Sequence, residues 1–291
     1  MNSAKKGLFW ANLSTILMSS SGVLGRLITI PSPVTTLLRC VFGAAFLTFL
    51  SLALGRSLNV DFKRHYKTML VCGFFLALHW STYFYALQIS NVSITIMSVF
   101  TYSIMTTLLE PLFFGGRMER FNLFNSVVVV IGLIILVPDF NLENRHTMGI
   151  IVGLFSGLCY AIRNITSKKL VEHMPGEIAL ISQLVISSIL LMPAIFYFDF
   201  NISQDQWIYI GILSVLVTVL GHLALIFAFK NLSTSSASIL TSIQPVYAIL
   251  LAVVIVDEVL ETNVIIGGGL ILIAVVLQNL LPTFMKKKSK E

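Results

Sequence analysis

The chain has 291 residues, of which 56% are hydrophobic and only 11% charged, with a mean hydropathy of +0.91 and a formal charge of +6. Soluble chains carry about 25% charged residues, so this one has too few polar groups to cover a water-facing surface, and its surface must face lipid. A soluble enzyme is excluded on those grounds, and the positive charge is accounted for by membrane topology without any nucleic-acid partner.

A helix needs about 20 apolar residues to cross roughly 30 Å of hydrocarbon. Such stretches lie at 8–28, 34–54, 68–88, 92–114, 121–138, 149–168, 178–198, 206–229, 235–256 and 262–282. The connectors are short and leave no room for a sizeable soluble domain. In the first span, Lys5 and Lys6 precede an apolar run as they would in a signal peptide. Ser19-Ser20-Ser21-Gly22 then leads to Arg26 and a second span rather than to a soluble domain, so the segment reads as an uncleaved span.

Ionisable groups inside a span cost roughly 2.5–3.5 kcal/mol at the helix centre and are candidates for function. Arg39 lies five residues into span 2: it either snorkels to the interface or offers a cavity charge for an anionic group such as a carboxylate. In span 3, His79 and Tyr83 are one helical turn apart and look the same way, with Trp80 beside them. Span 4 carries Ser98, Tyr102 and Glu110, with Pro111 freeing a carbonyl and predicting a kink. Glu110 is read either as a group for a proton or substrate cation, or as the partner of Arg117 or Arg120 at the membrane edge. Span 6 aligns Tyr160, Arg163 and Asn164 in one stripe, with Arg163 open to the same two readings as Arg39; span 7 has Gln183. His222 in span 8 and Gln244 and Tyr247 in span 9 complete the set, with Asn12, Met18 and Ser19 in span 1. Spans 5 and 10 have few polar residues apart from Gln278 and read as lipid-facing supports. Cys40, Cys72 and Cys159 fall inside spans without CxxC spacing and read as small buried residues. No third ligand is spaced to join the histidines at a metal, no Walker sequence or paired catalytic carboxylate is present, and Gly267-Gly268-Gly269 follows no strand. The reading is therefore of a protein that is not an enzyme, with no cofactor and no resident metal.

Ten spans put both termini on one side. The segments on that side hold fifteen lysines and arginines, the opposite side holds only Arg145, and Arg26, Arg39 and Arg163 lie within spans. The positive-inside rule then predicts cytoplasmic ends in a multi-pass inner-membrane protein, with the basic tail 283–291 facing anionic headgroups.

Sliding the chain against itself by 142 residues aligns its halves, 7–140 on 149–282. Gly7 meets Gly149, Ser14 meets Ser156, Pro33 meets Pro175, Leu78 meets Leu220 and Ala86 meets Ala228. Five spans per half is an odd number, so the second half enters the membrane from the opposite side. The predicted fold is all-α: ten transmembrane helices in two inverted five-helix repeats, an arrangement that lets a midplane site open to each side in turn.

The run Phe227-Ala228-Phe229-Lys230-Asn231-Leu232-Ser233-Thr234-Ser235-Ser236-Ala237, followed by Gln244-Pro245-Val246 and Asp257-Glu258, resembles the ten-span EamA-like permeases of the drug/metabolite transporter superfamily. The first half keeps Tyr85-Ala86-Leu87 and has Arg39 where the family often has an arginine. It departs at Asp257, where the family has glycine, at Gly116, which aligns with Glu258, and at Ser103, which aligns with Pro245 and moves the helix-breaking proline to Pro111. The resemblance implies a secondary transporter or exporter of a small polar or amphipathic metabolite, commonly amino-acid-like. With no ATP site in the chain, movement is expected to be facilitated or coupled to a gradient, such as that of a proton or counter-substrate, in a monomer or homodimer. Multidrug export and nucleotide-derivative transport are alternatives of the same fold, and a lipid-handling membrane enzyme is the alternative from a different class. The expected site lies between spans 1, 3, 4 and 6, 8, 9: His79, Trp80, Tyr83, Tyr102, Tyr160, His222, Gln244 and Tyr247, with Arg39 and Glu110 at its edges.

Overall fold

The computed structural model describes residues 3–56, 58, 62–115, 120–136, 141–198, 200–232 and 240–288. Helices α1 (Ser3–Leu27) and α2 (Ser32–Ala53) meet at Pro31 and Pro33, which stand at the start of α2 where a missing N–H costs nothing. α3 (Phe62–Ile89) is followed by α4 (Val92–Phe100), whose first turn is capped by Asn91 accepting from the Ile94 N–H at 2.8 Å, and by α5 (Tyr102–Phe114). Then come α6 (Arg120–Leu136), α7 (Arg145–Val171), α8 (Gly176–Leu191), the short α9 (Ala194–Tyr197) and α10 (Gln204–Ile212). A π-helical segment, Leu213–Leu220, leads from α10 into α11 (Gly221–Asn231); α12 (Gln244–Ile255) and α13 (Thr262–Lys288) close the chain. No strand occurs among the described residues. Among the described residues, six segments of 22 to 27 residues are long and apolar enough to cross a membrane. Three shorter apolar helices, Phe121–Leu136, Gln244–Ile255 and Thr262–Gln278, together with α1, complete the ten crossings.

The contacts between halves are reciprocal across the 142-residue offset. Gly7 in α1 packs against Leu232, and Gly149 in α7 packs against Ser90, with no room for a Cβ at either glycine. Ser14 Oγ donates to the Gly221 carbonyl at 2.9 Å, and Ser156 Oγ donates to the His79 carbonyl at 2.8 Å. Gly132 lies against the Gly267 carbonyl, while Asn125 Nδ2 donates to the Ala274 carbonyl at 2.7 Å. In each case residue i meets the repeat partner of j, and the partner of i meets j, the signature of a two-fold relation. Because each half crosses five times, that axis lies in the membrane plane.

The structure departs from the sequence reading in two places. The fourth crossing breaks at Thr101, not at Pro111, and α5 stays helical through the proline. Thr101 Oγ1 donates to the Ser98 carbonyl at 2.6 Å, and the Val99 carbonyl lies against Gly157, so packing on α7 rather than ring geometry sets the break. The repeat partner of Thr101 is Ile243, where the chain also turns just before α12. The second departure is that the fifth and tenth crossings are not bare supports. Asn125 Nδ2 also donates to Gln278 Oε1 at 3.0 Å, and Gln278 Nε2 donates to Asn122 Oδ1 at 3.0 Å, so a buried amide chain ties α6 to α13.

On the face away from the termini, polar contacts join the halves. The Glu258 carboxylate accepts the N–H groups of Val92 at 2.8 Å and Ser93 at 2.9 Å, capping the positive end of α4. Gln206 accepts from the Thr29 N–H at 2.9 Å and donates to the Leu27 carbonyl at 3.1 Å. Gly116, the repeat partner of Glu258, has no side chain to form the matching cap and lies outside the described residues.

Candidate functional site

A central cavity of about 80 Å³ lies at the depth of the two helix breaks, walled by α1, α2, α3, α4, α5, α7, the π-helical segment, α11 and α12. Eight of the ten residues expected from sequence line it: Arg39, His79, Trp80, Tyr83, Tyr102, Tyr160, His222 and Gln244. Tyr247 and Glu110 do not. Glu110 belongs to a second cavity of about 380 Å³, which shares Phe100 and Tyr102 with the first and extends toward the terminal side past Thr106, Asn164 and Gln278. There the Glu110 carboxylate is paired with Lys168 Nζ at 2.8 Å; Arg117 and the side chain of Arg120, its expected partners, lie outside what the structure describes.

Neither Arg39 nor Arg163 snorkels to an edge. Arg39 is 3% exposed, with its guanidinium carbon 3.7 Å from the centre of the Trp80 ring and its Nε donating to Thr218 Oγ1 at 2.8 Å. Stacking on an indole face is a favourable setting for a desolvated cation. Arg163 Nε donates to Gln183 Oε1 at 2.6 Å and its Nη1 to Asn164 Oδ1 at 3.1 Å, and it too lines the cavity.

The π-helical segment explains how Thr218 reaches Arg39. Its hydroxyl donates to the Leu213 carbonyl five residues back at 3.0 Å, as the wider turn allows, and this leaves the oxygen free to accept from the guanidinium. Widened turns of this kind are frequent at functional sites. One turn on, His222 Nδ1 lies 2.7 Å from the Thr218 carbonyl, which can only accept, so that nitrogen carries the proton. His79 is fixed alike: its Nδ1 is 3.1 Å from the Ser156 carbonyl and 2.8 Å from Ser156 Oγ, whose own proton goes to the His79 carbonyl. In the neutral ring each histidine therefore keeps Nε2 as an acceptor.

Aromatic faces make up much of the remaining wall. His79 stacks on Tyr160 with centroids 4.3 Å apart, and Tyr102 meets Tyr160 edge-on at 4.5 Å. Four pairs of lining residues are repeat partners, each 142 apart: Met18 and Tyr160, Ser21 and Arg163, Trp80 and His222, Tyr102 and Gln244. The cavity therefore encloses the pseudo-two-fold axis. Sequence reasoning missed Ser21 and Thr218. The signals were present, since Ser21 is the repeat partner of Arg163 and Thr218 lies one turn before His222.

The model of the EamA-like transporter family matches twice, over residues 5–137 and 147–280. The chain belongs to the EamA-like transporter family. An uncharacterized transporter of Archaeoglobus fulgidus is 29% identical over 266 residues, covering 91% of this chain and 93% of the relative. An uncharacterized transporter of Bacillus subtilis is 25% identical over 245 residues, covering 82% of this chain and 78% of its own length. A solved protein crystal structure matches with a TM-score of 0.64 at 15% identity, covering 97% of this chain and 98% of the other. That likeness speaks for the fold alone. This EamA-like chain is thus a multi-pass membrane transporter, with its cavity held between the two family repeats.

Proposed function

We propose that this transporter is a secondary carrier that moves a small polar or amphipathic metabolite, amino-acid-like in size, across the cytoplasmic membrane by alternating access. Units 7–140 and 149–282 rock against each other, and both termini face the cytoplasm. One observation carries the reading: the cavity encloses the axis that relates the repeats, so exchanging the conformations of the halves would expose the same residues to the other side. Stacked rings beside a few hydrogen-bonding groups suit such a solute, burying its apolar part and orienting its polar end. The capped face holding Glu258 and the second cavity on the terminal side support a conformation reached from the terminal side.

The test is exchange of labelled small metabolites in proteoliposomes containing the full chain. Tyr83→Ala, which removes a buried cavity ring, is expected to reduce flux about tenfold at matched reconstitution. Tyr197→Ala, at an exposed ring remote from the cavity, serves as the control and should transport as the parent does. Equal flux in both variants would remove the cavity from the transport path.

A further inference from the structure

The central cavity has an unbalanced charge. Two guanidinium groups line it, and among the described residues no aspartate or glutamate does. Among the described residues the partners of Arg39 and Arg163 are neutral: Thr218, Gln183, Asn164 and the rings of Trp80, Phe84 and Tyr160. The two ion pairs found among the described residues, Arg56 with Glu177 and Lys168 with Glu110, involve neither arginine. Of the five N–H donors of Arg39, Nε is engaged by Thr218; the four on its terminal nitrogens meet no acceptor among the described residues, although the residue is 97% buried. Burying a charge without a counter-charge is costly, and here one buried guanidinium, Arg39, and one half-buried, Arg163, share a cavity that offers none among the described residues.

We propose that the cavity is an organic-anion site in which Arg39, stacked on Trp80, and Arg163 together receive a carboxylate or a comparable anionic group. The planar fork of a guanidinium matches two such oxygens. Helices α5 and α12 begin at the cavity with Tyr102 and Gln244, and helix N-termini add partial positive charge. For the ammonium of a zwitterion the cavity supplies only neutral acceptors. At about 80 Å³ it has room for about three waters at their share of liquid volume, the scale of a short-chain acid. This names the substrate class of the transport reading and rests on that reading only for the step from binding to carriage.

Trp80 makes the proposal measurable without transport. The chain has three tryptophans, so Trp10→Phe with Trp207→Phe leaves Trp80 as the sole reporter. In the solubilised full chain, anionic iodide is expected to quench Trp80 about tenfold more strongly than cationic caesium at equal ionic strength. Arg39→Gln with Arg163→Gln should abolish that preference while quenching by neutral acrylamide stays within about twofold, which also reports that the variant is folded; Arg39→Lys should retain it. Lactate, alanine and alaninamide share size and skeleton and differ in charge, and protection against iodide should follow the order lactate, alanine, alaninamide. Equal quenching by caesium, a preference that survives both substitutions, or silence toward all three quenchers would overturn the proposal. Flux separates the two readings. Protection by lactate without flux of any solute defeats carriage and leaves the anion site standing. Flux of alanine or alaninamide above lactate, without iodide preference, defeats the anion site and leaves carriage standing.

Discussion

Asp257 is the only non-glycine residue with positive φ among those described, at +50°. It holds the left-handed turn that lets Glu258 reach back to the Val92 and Ser93 amides. Related permeases place glycine there, and the turn shows why: a Cβ in this conformation costs about 1–2 kcal/mol, although aspartate tolerates it better than most residues. Asp257→Gly is therefore expected to melt at or above the parent, by up to about 1 kcal/mol after the chain-entropy cost of glycine. Asp257→Val should lose about 1–2 kcal/mol. Thermal denaturation of detergent-solubilised protein decides between a strained turn and an indifferent one. The same scale shows where sequence reasoning stops. Depth along a span located Arg39 and Arg163 but left their direction open, because a long side chain near a helix end can reach either water or the interior. The Trp80 ring and the Gln183 amide decide it, and both are brought near only by tertiary packing.

At the scale of helices, length and apolarity gave the ten crossings to within a few residues at most ends, because the bilayer imposes one length on all of them. Breaks were harder to foresee. Pro111 carried the expectation of a kink, yet the interruption falls at Thr101, where a hydroxyl and a glycine on the neighbouring helix take up the freed geometry. The π-helical segment left no recognisable mark in a run as apolar as Leu213–Leu220. Asn122 and Asn125 were passed over because an amide in an apolar run looks lipid-facing until its partner on a distant helix is known. That partner makes a stability test possible. Asn125→Leu leaves the Gln278 Oε1 and the Ala274 carbonyl without their donor in the low-dielectric interior, and the expected loss is about 1–3 kcal/mol. Asn125→Leu with Gln278→Leu and Asn122→Leu removes every side-chain member of the amide chain, so that Asn122 Oδ1 is not left without its donor, and should recover part of the loss. A triple variant no more stable than the single one would show that the amide chain does not couple α6 to α13.

At the scale of the whole molecule, orientation rests on charge asymmetry and can be measured independently. Lys63 and Asp205 are exposed at opposite faces, and the native Cys40, Cys72 and Cys159 are all buried, so background labelling should be low. In intact cells a membrane-impermeant maleimide should modify Asp205→Cys and spare Lys63→Cys, with Lys63→Cys reacting only once the membrane is opened; the reverse pattern would invert the molecule. The repeat itself was legible because packing positions kept their identity: Gly7 and Gly149, or Ser14 and Ser156, still make the same contact in each half. None of the four partner pairs around the cavity did so. Descent from a duplicated segment would give a chamber that looks the same after half a turn; here one copy presents methionine, serine, tryptophan and tyrosine where the other presents tyrosine, arginine, histidine and glutamine. The scaffold has kept its ancestral symmetry and the chamber has lost it, so a guest molecule lying along it would meet different groups at its head and at its tail.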